Sequence, residues 1–140
     1  MRHALAVLAV CAGLTACGDP SPAPPALGDN ALPNVEGAWT GEVVEDDRTY
    51  DLVLTIDHLE RGVTAGTTAY SGDLACTGTL TFEGADRRVL SFREALDGSP
   101  GCPGGGRVDV RLRSDGRLGW LWTRADGDAV PDARATLDRQ

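Results

Sequence analysis

From about residue 35 to the C-terminus, apolar and polar side chains alternate with a period of two. Trp39, Gly41 and Val43 alternate with Thr40, Glu42 and Val44, and Tyr50, Leu52, Leu54 and Ile56 with Asp51, Val53, Thr55 and Asp57. Farther on, Leu74, Cys76, Gly78, Leu80 and Phe82 interleave with Ala75, Thr77, Thr79 and Thr81, and Val108, Val110 and Leu112 with Arg107, Asp109, Arg111 and Arg113. Successive side chains of a strand point to opposite faces, so this is the pattern of antiparallel strands with one face buried and one wet. Short turns rich in Gly and Asp separate the runs: Glu45-Asp46-Asp47, Arg61-Gly62, Ser71-Gly72-Asp73, Gly84-Ala85-Asp86, Ser114-Asp115-Gly116 and Asp126-Gly127-Asp128. They favour hairpins between neighbouring strands. Eight strands follow, near 38–45, 49–57, 62–70, 73–83, 87–97, 106–113, 117–123 and 132–138. The third has the least to bury, reading Thr64-Ala65-Gly66-Thr67-Thr68. No segment has helical periodicity. The expected fold is all-β: a small antiparallel up-and-down barrel of about eight strands, whose closure removes exposed edges.

Two different segments precede this pattern. Residues 18–33 read GDPSPAPPALGDNALP. Proline fixes φ and removes a backbone donor, so this tract is an extended tether with a reach of roughly 40–50 Å. Before it, Met1-Arg2-His3 gives a short basic head, and the apolar stretch that follows has signal-peptide length, too short to span a bilayer. That stretch ends in Leu14-Thr15-Ala16-Cys17. This run resembles the bacterial lipobox, L-[ST]-[AG]-C. The resemblance implies cleavage before Cys17 and a lipid on its sulfur, a membrane anchor on the extracytoplasmic face. The domain plan is then signal peptide 1–16, lipidated cysteine and tether 17–34, and barrel 35–140.

Charge narrows the partners. The chain carries 13 basic and 21 acidic residues, a formal charge of −8, and contains no lysine. Loss of residues 1–16 removes Arg2 and no acid, so the processed chain is more acidic still. Nucleic acid is excluded as a partner class, because phosphate binding needs clustered positive charge. Cysteine use fits export. With Cys11 in the signal peptide and Cys17 acylated, Cys76 and Cys102 remain, most simply as one disulfide. It closes a loop of about 25 residues and contributes about 3 kcal/mol on the loop-entropy account. A redox role would call for Cys-x-x-Cys spacing, which the pair lacks.

A second resemblance covers residues 36–138. Gly37-Ala38-Trp39-Thr40-Gly41, Tyr50 to Ile56, Tyr70 with Leu74 to Leu80, Phe92-Arg93-Glu94, Cys102, and Gly116-Arg117-Leu118 leading to Trp122 carry it. In this order they resemble the small extracytoplasmic β domain at the C-terminus of some transmembrane serine/threonine kinases of high-GC Gram-positive bacteria, a module also found on lipoproteins. The resemblance implies a sensing or accessory role outside the cell, with signalling through a partner. The Gly-x-Trp opening is also similar to lipocalins and avidins, which share the barrel outline.

Candidate chemistry is sparse. His58, beside Asp57 and Glu60, is the one histidine left after processing, and the serines lie mainly in turns and tether, so no nucleophile–base set forms. The chain is read as a binding protein and not an enzyme, with no cofactor. Zinc lacks a His/Cys cluster. The acidic turns Glu45-Asp46-Asp47 and Asp126-Gly127-Asp128 follow no calcium-loop pattern and read as solubilising turns. Glu94 is the anomaly, in inward register with Leu90, Phe92 and Leu96. It is either an anchor for a cationic or hydroxylated ligand at the barrel mouth, the partner of Arg107 or Arg111, or a residue at a wet rim. Trp120 and Trp122 share a face. Inward, they fill core; outward, with Leu121 inside, they display an aromatic patch. Glu94, Trp39, Trp120 and Trp122 are therefore the candidate ligand residues. The functional expectation is a lipid-anchored binding or sensor-accessory module. The alternatives are a filled-barrel interaction protein or a carrier of a small apolar molecule.

Overall fold

A computed structural model describes residues 32–98, 101–102, 104–127 and 129–140. The expected signal peptide, Cys17 and the expected tether up to residue 31 lie outside the described residues, as does Asp128.

Eight antiparallel strands close into one barrel: β1 (Gly37–Glu45), β2 (Arg48–Ile56), β3 (Thr64–Gly72), β4 (Cys76–Asp86), β5 (Val89–Gly98), β6 (Gly106–Leu112), β7 (Leu118–Arg124) and β8 (Ala133–Arg139). Each lies within a few residues of its expected position. Every strand pairs with its sequence neighbours, and β8 returns to β1 through registers such as Thr40 with Asp138 and Val43 with Ala135. The alternation carries through: Trp39, Val43, Leu52, Leu54, Ile56, Leu80, Phe92, Val108, Val110 and Leu118 are buried. In the third strand, Ala65, Gly66, Thr68 and Tyr70 face inward, and a register shift between Thr64 and Gly66 marks a bulge. Small side chains there serve close approach: a Cβ on Gly66 would lie 2.0 Å from the Thr55 carbonyl oxygen. The strand that has least to bury by composition buries its polar groups instead.

The two ends of the barrel differ. One gathers the start of β1, the end of β8 and the incoming residues 32–36, and it is plugged. Val35 is fully buried, and the Trp39 indole donates to its carbonyl at 2.8 Å. Arg139 stacks over the Trp39 ring at 4.4 Å and donates to the carbonyls of Glu36 and Asn34. At the other end lie the β1–β2 turn, the β3–β4 connection and Cys102. Cys76, opening β4, is joined to Cys102 with Cα atoms 5.9 Å apart, so the disulfide ties the β5–β6 connection to this rim.

Candidate functional site

The stapled end is hollow. A cavity of about 180 Å³ opens there. Its walls are the rings of Tyr50 from β2, Tyr70 from β3 and Trp120 and Trp122 from β7, with Leu74, Leu96 and Cys102 toward the mouth. Glu45, Arg48 and Arg124 supply the charged part of the lining. The rings brace one another edge to face, Tyr50 to Tyr70 with centroids 5.8 Å apart and Tyr70 to Trp120 at 6.4 Å. Such contacts hold aromatic walls with little side-chain freedom.

Glu94 organises the interior next to this cavity without appearing in its lining. It is 2% exposed. Tyr70 Oη donates to its Oε1 at 2.8 Å, the Thr68 hydroxyl donates to the same oxygen, and Trp122 Nε1 donates to Oε2 at 2.8 Å. Three donors from two other strands thus satisfy a carboxyl that burial alone would make very costly. Burial raises the Glu94 carboxyl above the ordinary carboxylate range, and the bonds from Thr68, Tyr70 and Trp122 pull the other way. Two glycines make the room. A Cβ on Gly78 would sit 2.2 Å from Thr68 Oγ1 and 2.8 Å from Glu94 Oε1, and one on Gly106 would sit 2.6 Å from the Trp122 ring. The network therefore fixes two cavity walls, Tyr70 and Trp122, from behind.

The arginine pairing expected for Glu94 is incorrect. Arg107 and Arg111 alternate with the inward Val108 and Val110 and so face solvent; Arg107 instead pairs with Asp109 at 3.0 Å and bonds Ser91. Nor is Glu94 at a wet rim. A second correction concerns Glu45, read as part of a solubilising turn. It shares the inward parity of Trp39 and Val43 and is 7% exposed. Arg48 donates to its Oε2 at 2.9 Å and Tyr50 Oη to the same atom at 3.3 Å. Burial, followed by the Glu45 charge, holds the Tyr50 phenol above its usual range, so it stays a neutral donor.

Of the four candidate ligand residues, Trp120 and Trp122 point inward and line the cavity, while Leu121 is 41% exposed outside. Trp39 lies at the plugged end. Thr68, Tyr70, Tyr50 and Glu45 join the site beyond those four; their signal in the sequence is shared inward parity with apolar neighbours on their own strands. His58 is exposed past the end of β2. Among the described residues no group of His, Cys, Asp and Glu is arranged to hold a metal ion, and no helix is long and apolar enough to cross a membrane. Compared with known proteins, the chain matches no family profile, no curated protein and no solved structure.

Proposed function

We propose that this protein is a non-enzymatic, lipid-anchored binding module of the extracytoplasmic face, which receives a small ligand in the stapled end of its barrel. The observation that carries this reading is the division of the interior. One end closes over Trp39 and Val35, both fully buried, while the other keeps about 180 Å³ open, walled by four aromatic rings together with Glu45, Arg48 and Arg124. A concave, mostly apolar pocket with a few polar groups is the usual form of a small-molecule site. The Glu94 network supports it, since side chains locked from behind give a preorganised pocket that loses little entropy on binding. The lipobox-like run at Cys17 and the resemblance to kinase sensor domains support the location and the accessory role. Chain connectivity agrees: residues 32–36 enter at the plugged end, which leaves the open end on the far side of the barrel from the tether attachment.

A carrier of a purely apolar molecule fits the lining less well, because Glu45, Arg48 and Arg124 share it. The test is native mass spectrometry of the protein purified from its own host, beside Leu96→Trp, which fills the mouth. A small adduct on the wild-type chain, absent from the variant, is the expected result. A bare mass for both, with the fold intact, contradicts a ligand site and favours the filled-barrel interaction protein.

A further inference from the structure

Resting on that reading, we infer that the ligand is a small ring-bearing carboxylate, its ring among the aromatic walls and its carboxylate at Arg124 and Arg48. Hydrogen-bonding capacity left over in the lining points to this headgroup. Glu94 already takes three donors, from Thr68, Tyr70 and Trp122, and lies behind the lining. Glu45 receives both Arg48 and Tyr50 on a single oxygen. Among the described residues that leaves Glu45 Oε1 without a donor, set against two guanidinium groups in the same lining, so the surplus is in donors and in positive charge.

Arg48 commits one nitrogen to Glu45 and keeps the remaining N–H groups of its guanidinium. Among the described residues the Arg124 side chain has no ion-pair partner, although its backbone N–H is held by Asp132 at 2.8 Å. A wall with spare N–H groups and few spare acceptors selects an acceptor headgroup. Planar guanidinium groups match a carboxylate with two parallel bonds. An ammonium ligand would meet two arginines and one open carboxylate oxygen, Glu45 Oε1.

Size sets the rest of the ligand. A cavity near 150 Å³ is known to hold one benzene ring, and this one offers about 180 Å³. One ring fits inside, which leaves the charged group at the mouth beside the arginines.

The test titrates the full-length chain with three probes of nearly equal size: benzoate, benzyl alcohol and benzylamine. Tryptophan fluorescence and melting temperature are read for wild type and Arg124→Gln. Arg124 is exposed, so the variant is expected to fold. Benzoate should bind about tenfold tighter than benzyl alcohol, the scale of one charge-assisted hydrogen bond, with benzylamine weakest. Arg124→Gln should remove most of that preference and leave benzyl alcohol nearly unchanged. If benzylamine binds as well as benzoate, or if the preference survives in Arg124→Gln, the carboxylate assignment is wrong while the pocket stands. If none of the three probes changes either signal, the pocket reading falls with it.

Discussion

At Glu94, burial and hydrogen bonding pull one carboxyl in opposite directions, and burial prevails. An unfolded glutamate titrates near ~4.3. With the folded value raised above that, the native state holds its proton more tightly than the unfolded chain. Its stabilising contribution is complete below the unfolded value and is lost as pH rises through the folded one. Glu94→Gln removes this titration. The melting temperature of the wild type should therefore fall relative to the variant as pH rises from about 4, and parallel curves would contradict the assignment. The inward register of Glu94 was legible in Leu90-Phe92-Glu94-Leu96, because period two is local. Its partners were not. Thr68, Tyr70 and Trp122 lie 24 to 28 residues away along the chain and meet Glu94 only once the barrel closes. Arg107 and Arg111 looked closer because β6 adjoins β5, yet their parity sends them outward.

Strand by strand, alternation and turn chemistry foretold the elements well, since each hairpin is specified by residues a few positions apart. β3 shows where composition misleads. Its inward face is Ala65, Gly66, Thr68 and Tyr70, poor in apolar volume, and it is selected by the polar network and by contact with the β2 backbone. Glu45 shows the reverse case: in sequence it merges with Asp46 and Asp47, and only its parity with Val43 separates it from the turn. The Cys76–Cys102 link belongs at this scale too, because it ties the β5–β6 connection to β4 beside the cavity. Reducing it should lower the melting temperature by roughly 10–20 °C, from about 3 kcal/mol of loop entropy in a domain of this size. Calorimetry with and without reductant checks this, and an unchanged melt would remove the disulfide from the stability of the fold.

Across the whole molecule, the barrel has a plugged end that receives the chain and an open end held by the disulfide. The closed topology followed from eight short strands that leave no edge; the cavity did not. Whether inward Trp120 and Trp122 fill a barrel or wall a hollow depends on side-chain volumes summed across strands, which alternation does not record. The proposed anchor is a separate matter of chain chemistry. Cys17→Ser should move the protein from the membrane fraction to the soluble one, and continued tight membrane association would sink the lipid-anchor reading. The most direct test of the binding pocket uses the three tryptophans as reporters of position. Trp120 and Trp122 line the cavity, while Trp39 donates to Val35 at the plugged end. In a phenol titration followed by the indole N–H resonances, saturable shifts are expected for Trp120 and Trp122 with Trp39 unmoved. No saturable shift, or one shared equally by Trp39, would contradict the binding pocket.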